Sequence, residues 1–316
     1  DEPSQARILP LPHDALKDEW NSLVYGERLP SQLLRYLSRM LVVMKQPGLN
    51  LSLFNWNRLC LLHGPPGSGK STLCRALAQK LSIRLSAMYP QAVLVEVNTT
   101  TMLSKYFGES GKLITSLFDK IHGTAQSSTT LVCVVIDEIE TIAGSREKAN
   151  AGGECSDGVR ATNQLLTALD RLRALPNVVV LCTSNLLGAI DSAFLDRVDI
   201  KQFVPSPSQP AIYNIFRSCL NALVVDTAAE GPPCPSSPRE GSPATDALQQ
   251  RANPLAKCES TDEPPKPSIA TLEEMQIAYH DQPQAACRRL WAIARKCEGF
   301  SGRRLRRLPI HGLAMY

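Results

Sequence analysis

The segment Gly64-Pro-Pro-Gly-Ser-Gly-Lys-Ser71 is where residue types and order point most directly to chemistry. Its glycines let successive backbone N–H groups turn inward around an anion, and a helix opening directly after them adds its positive end. A lysine followed by a hydroxyl residue suits phosphate oxygens and a divalent cation: Lys70 is placed for the β- and γ-phosphates, and the Ser71 hydroxyl for Mg²⁺. Gly64, Pro65, Pro66, Gly67, Ser68, Gly69, Lys70, Ser71 and the adjoining Thr72 are therefore the candidate nucleotide-binding residues, with ATP and Mg²⁺ as the ligands. The plainer alternative, a chance glycine-rich turn, does not account for the apolar run before it and the helical pattern after it.

Two further stretches carry chemistry that such a loop needs. Leu131-Val-Cys-Val-Val-Ile-Asp137-Glu138 is an apolar strand ending in two acids. An acid there emerges at the edge where ligands bind in open α/β sheets. Asp137 would hold the water shell of Mg²⁺, together with Ser71, and Glu138 would polarise the attacking water. Strands often end in acids, so the pair gains its meaning from the glycine loop upstream. Thr183-Ser184-Asn185 ends the next strand. Alone, Asn185 reads as a turn former; beside the other two motifs, its amide is placed to orient the lytic water from the side opposite Glu138.

These residues need a scaffold, and the pattern around them supplies one. Apolar runs at Leu59–His63, Val93–Val97, Leu131–Ile136 and Val178–Thr183, with a fifth at Lys201–Val204, alternate with helical patterns at Ser71–Leu81, Gly111–Ile121 and Gly158–Leu172. Strands apolar on both faces and alternating with helices argue for a parallel sheet covered by helices. Before them, Pro3, Pro10 and Pro12 punctuate the opening of the chain, and Leu33, Leu34, Leu37 and Leu41 mark one apolar helix face. After Pro205 only helices are expected, at Ala211–Val225, Cys287–Glu298 and Arg303–His311. The expected domains are 1–50, a linker and adenine-side segment; 51–206, the large α/β domain; and 207–316, a small helical lid. Within the lid, 226–268 is rich in Pro, Ser and Gly, an insertion too poor in large apolar residues to offset its ordering entropy and so expected to be disordered.

Composition excludes some classes. Hydrophobic residues make up 43% of the 316, enough for a real core, and the net charge of 34 − 30 = +4 is too mild to argue for nucleic acid or a membrane surface. No apolar stretch reaches the roughly 20 residues that span a bilayer. The ten cysteines include no CxxC and no Cys/His grouping at zinc spacing, and several sit inside apolar runs. That usage suits a reducing intracellular compartment.

The ordered set GPPGSGKS, SKYFGESGK, VVIDE, TSN, AFLDRVD and GFSGR resembles the AAA+ ATPases. More narrowly, Trp20-Asn-Ser-Leu-Val-Tyr25, Asn55-Trp-Asn-Arg58, Arg197-Val-Asp-Ile-Lys-Gln202 and Ser301-Gly-Arg303 resemble the pachytene checkpoint protein 2 (thyroid receptor-interacting protein 13) subfamily. The resemblance implies a five-stranded parallel sheet between helices with a helical lid. It also implies a homo-hexameric ring that uses ATP to remodel HORMA-domain proteins, with an adaptor, in the nucleus and cytosol. Direct nucleic-acid binding and membrane association are not expected. Arg197 falls where the family places an arginine finger reaching the neighbouring subunit, although Leu195-Asp196 stands where other AAA+ families carry a second arginine. A surface salt bridge to Asp196 or Asp199 is the plainer alternative. Arg303 matches the lid sensor that touches the phosphates of its own subunit, the alternative being one more charge on a solvated basic helix with Arg304, Arg306 and Arg307. Lys105, Tyr106, Phe107 and Gly108 match the substrate-gripping pore loop, and Trp20–Tyr25 the adenine-side segment; the bland reading of both is core packing. The chain starts at Asp1 and stops at Tyr316, so it is also read as a fragment or isoform without the subfamily's recruiting domain. A clamp-loader-like switch acting on DNA through the basic C-terminal helix, or a truncated regulatory isoform, is the other functional reading.

Overall fold

A computed structural model describes residues 5–25, 28–46, 56–103, 110–144, 155–229 and 268–315. Its centre is a six-stranded sheet: β1 (Ala6–Leu11), β2 (Leu59–His63), β3 (Gln91–Val97), β4 (Thr130–Ile136), β5 (Val178–Ser184) and β6 (Ile200–Phe203), in the spatial order β1-β3-β4-β5-β2-β6. The five expected strands are all parallel to one another. The sixth, β1, was not expected: it runs antiparallel to β3 along the sheet's edge, with Pro10 opposite Val93. An edge strand tolerates proline because one row of its N–H groups has no ladder partner to lose. The opening segment therefore does more than link.

Strict alternation divides the strands between two cores. Val132, Val134 and Ile136 face one side with Leu59, Leu61, Val178 and Val180; Leu131, Cys133 and Val135 face the other with Cys60, Leu62, Val179 and Leu181. The first side is covered by α5 (Ser110–Ala125) and α6 (Cys155–Leu172), through Ile114, Leu117, Leu165 and Leu169. The second is covered by α2 (Leu29–Met44) and α3 (Lys70–Arg84), whose Leu33, Leu37, Leu73 and Leu77 are buried. Short helices α1 (Glu19–Ser22) and α4 (Thr99–Leu103) flank α3 and α5. Each buried branched side chain contributes about 1.5–3 kcal/mol, so both faces must be covered for the strands to stay registered.

Arg58 stands at the foot of β2, 1% exposed. Its Nε donates to the Val178 carbonyl at 2.9 Å and its Nη2 to the carbonyls of Leu172 and Arg173 at 3.2 and 2.9 Å. A cation on the last carbonyls of α6 is favourable at a helix C-terminus; burial pulls its pKa down to about 10.

The lid comprises α8 (Gln209–Ala229), α9 (Leu272–Ala278), α10 (Ala286–Lys296) and α11 (Gly302–Ala314), packed around Ile212, Phe216, Met275, Leu290 and Leu305. Helix α9, capped by Thr271 and Glu274 in a reciprocal box, had no counterpart in the sequence reading. Helix α8 runs to Ala229, past the start expected for the insertion; residues 230–267 of that insertion lie outside the described residues, as do Lys105, Tyr106, Phe107 and Gly108.

Candidate functional site

All three central motifs converge at the carboxyl ends of β2, β4 and β5. Parallel register places His63 beside Ser184, and Ile136 beside Cys182, so the residues that follow these strands leave the sheet side by side. The chain after β2 must then reverse tightly into α3. Gly67 and Gly69 make this turn at φ 73° and 93°, values that residues with a Cβ adopt only with strain. Space closes both positions too: a Cβ on Gly67 would lie 2.6 Å from Ser301 Cβ, and one on Gly69 3.0 Å from the Tyr25 hydroxyl.

Lys70 begins α3 and is 6% exposed. Its ammonium donates at 2.9 Å to each of three acceptors: the Gly64 carbonyl, the Pro65 carbonyl and Asn185 Oδ1. Burial lowers its pKa, opposed by Asp137, Glu140 and Glu138. Ser71 donates to Asp137 Oδ1 at 2.7 Å, and Thr183 donates to the same oxygen. Glu138 follows with a left-handed backbone, φ 52°. Asn185 is held by its own N–H, which donates to Glu140 Oε1 at 2.9 Å. Its amide oxygen thus lies on Lys70, where the amide and the ammonium can respond to the same phosphate.

The opposite wall comes from the lid and from residues 22–25. Helix α11 is capped by Ser301, whose Oγ accepts from Arg304 N at 3.3 Å, and its first residue, Gly302, donates to the Gly67 carbonyl at 2.8 Å. Arg303 and Arg306 line the cleft, and an Arg306 N–H donates to the Ser22 carbonyl. The Tyr25 hydroxyl lies 3.4 Å from the Ser68 and Gly69 carbonyls, which accept its proton; burial raises its pKa. Leu23 and Tyr25 pack on the α3 side of the sheet while Val24 packs into the lid core. The cleft has a volume of about 480 Å³ and is lined by Pro66 to Thr72, Asp137, Glu138, Thr183, Asn185, residues 22–25, Arg75, Arg303 and Arg306.

Does this cleft fit a nucleotide polyphosphate and a divalent cation? Ser68 Oγ is buried with no protein partner, the Lys70 ammonium is partly desolvated at the mouth of the loop, and Arg303 and Arg306 line the same cleft. An anion there gives Ser68 a partner and meets three positive charges. Ser71 and Asp137 are hard oxygen ligands already in contact, of the kind Mg²⁺ takes. The residues fit both.

Arg197 is not in its own cleft. It ends α7 (Ser192–Asp196), and its guanidinium forks onto Asp170 of α6, Nε to Oδ1 at 2.9 Å and Nη2 to Oδ2 at 2.8 Å, while Nη1 donates to the Ala193 carbonyl at 2.8 Å. The hydrogen bonds to Asp170 raise its pKa. The plainer alternative from sequence was a salt bridge to Asp196 or Asp199; the ion pair present is with Asp170. Asp199 instead accepts the backbone N–H groups of Asn57 and Leu59, tying β6 to the foot of β2. Sequence reasoning missed Thr183, Glu140, Arg75 and Arg306 as parts of the site. Of these, Thr183 left a trace as the start of the Thr183-Ser184-Asn185 motif, and Arg306 as the residue one helical turn beyond Arg303 on the same face.

Residues 60–206 match the ATPase family associated with various cellular activities (AAA), and residues 250–316 match the TRIP13-like, AAA+ ATPase lid C-terminal domain. The pachytene checkpoint protein 2 homolog of Arabidopsis thaliana is 41% identical over 303 residues, covering 95% of this chain and 59% of that protein. The solved structure of C. elegans PCH-2 superposes with a TM-score of 0.69 at 32% identity, covering 98% of this chain and 69% of that one. The chain belongs to the pachytene checkpoint protein 2 family of AAA ATPases. It spans about three fifths of the length of the curated plant relative, 59%. Trip13 in the E. coli MS115-1 HORMA:CdnC:Trip13 complex shares the fold, with a TM-score of 0.57 at 22% identity over 75% of this chain and 85% of that one.

Proposed function

We propose that the chain binds Mg-ATP in the cleft between sheet and lid, hydrolyses it, and spends the energy remodelling HORMA-domain proteins. The observation that carries the hydrolytic part is the meeting of Lys70 with Asn185 and of Ser71 with Asp137 beside Glu138, from three separate segments at one sheet edge.

Backbone N–H groups at the start of α3 hold the phosphates, and Lys70 exchanges one of its three protein acceptors for a phosphate oxygen. That exchange frees Asn185 Oδ1 to orient water. Ser71 and Asp137 would hold Mg²⁺, which would supply charge neutralisation for the phosphates. Glu138 takes the proton of the attacking water, and Arg303 steadies the phosphates from the lid. Arg197, outside its own cleft, is assigned to the neighbouring subunit of a homo-hexamer, where its remaining N–H donors meet developing charge. Such a finger makes turnover depend on assembly. Tyr106 and Phe107, with Lys105 and Gly108, are assigned to grip an extended substrate segment in the ring's pore.

Family membership supports the HORMA reading, and so does the E. coli complex in which a Trip13 protein and a HORMA protein were solved together. An adaptor and residence in the nucleus and cytosol belong to the same proposal. The test is a trap: Glu138→Gln in cell extract with ATP is expected to retain HORMA-domain proteins and their adaptor, and to release them with ADP. Retention of DNA and chromatin proteins that vanishes with salt would instead support the DNA-acting alternative.

A further inference from the structure

Glu138 sits at φ 52° and ψ 56°, a left-handed conformation that persists in a residue with a Cβ only where its surroundings enforce it. The backbone that aims this carboxylate is held by a hydroxyl one strand away. Glu138 N–H donates to Thr183 Oγ1 at 3.1 Å, and Thr183 Oγ1 donates in turn to Asp137 Oδ1. Thr183 is 1% exposed at the end of β5, one residue past the Ile136–Cys182 pair. One oxygen atom thus accepts from the main chain of one acid and donates to the side chain of the other. A second link runs alongside, from Asn185 N–H to Glu140 Oε1 at 2.9 Å. Neighbouring polar groups are engaged elsewhere: Ser184 Oγ accepts Leu186 N–H at 3.1 Å, and Asn185 Oδ1 lies on Lys70.

We propose that Thr183 is a positioning residue for hydrolysis, fixing the rotation of Asp137 and the left-handed turn that presents Glu138 to water. This rests on the reading of the cleft as an ATPase site. The role requires an atom that accepts and donates at once. Serine supplies that atom; valine fills the same volume and supplies neither function. Because Thr183 acts through the two acids and not on the phosphates, its loss reduces turnover more than nucleotide affinity.

Steady-state ATP turnover, affinity for a fluorescent ATP analogue and thermal unfolding are compared for the unaltered chain, Thr183→Val, Thr183→Ser and Glu138→Gln. Thr183→Val is expected to lower kcat by roughly 10- to 100-fold, with KM and analogue affinity within about twofold. Thr183→Ser is expected to recover all but a few-fold of that loss. The proposal is overturned by Thr183→Val turnover within twofold of the unaltered chain, by a serine variant as impaired as the valine one, or by KM changing in step with kcat. If the valine variant does not fold, Thr183→Ala is measured against Thr183→Ser with the same expected split. A readout independent of turnover is hydrogen exchange at the Glu138 amide, expected to accelerate at least about tenfold in Thr183→Val; unchanged protection overturns the proposal. Absence of turnover in the unaltered chain sinks the ATPase reading itself, whereas normal turnover with unaltered Thr183→Val kinetics sinks only the positioning role.

Discussion

On the sheet side of the cleft, Lys70, Ser71, Asp137, Asn185 and the Glu138 backbone are bonded to one another across three strands and the start of α3. On the lid side, one backbone hydrogen bond from Gly302 to Gly67 and one from Arg306 to Ser22 join α11 to the rest. The sheet wall is anchored in two continuous cores, while the lid has a core of its own. Chemistry needs groups fixed to a fraction of an ångström, which the sheet wall provides. Opening, closing and transmitting force need a wall that can move as a unit, which a lid with a core of its own can do.

Substitutions can break this contrast in order of severity. Lys70→Ala removes the ammonium that the phosphates require; ATP affinity is expected to fall at least about 100-fold by calorimetry, and micromolar binding in that variant would refute the assignment of the loop. Glu138→Gln is expected to leave affinity within a few-fold and lower turnover by about 100-fold or more; full turnover would remove Glu138 from the chemistry. For Arg197→Ala the expectation is retained binding with turnover lowered about tenfold or more, partly restored by mixing with the Lys70→Ala chain, which still offers Arg197 to its neighbour. No restoration in mixed assemblies would argue against action across subunits. Smallest is the lid: Arg306→Ala, which frees the Ser22 carbonyl, is expected to weaken ATP binding only about three- to tenfold, with faster amide exchange confined to α11. A loss as large as that of Lys70→Ala would show that the lid wall is as rigid as the sheet wall.

The legibility of the two walls from sequence differed in the same way. Gly64–Ser71, the acids ending β4 and Asn185 ending β5 were readable because each lies at a junction between elements, where local composition dictates the turn. Core assignments followed from runs apolar on both faces, as in Leu131–Ile136, and from the i, i+4 spacing of Leu33, Leu37 and Leu41. Strand β1 escaped notice because its prolines read as breakers; only pairing with β3 turns them into edge residues. Helix α9 is too short for its periodicity to stand out. Thr183 was visible only as the first residue of the Thr183-Ser184-Asn185 motif, and its own role was not, since that role depends on the alignment of β5 with β4.

By itself the sequence determined the nucleotide loop, the two acids, the alternating sheet-and-helix order and the family, because short-range spacing encodes backbone turns and buried faces. Tertiary structure alone decided which side chains share an atom: Thr183 with Asp137, Glu140 with Asn185, Asp170 with Arg197, Arg306 with Ser22. Those contacts join residues dozens to hundreds of positions apart, and hydrogen bonds depend on distance and angle in space, which no spacing along the chain prescribes.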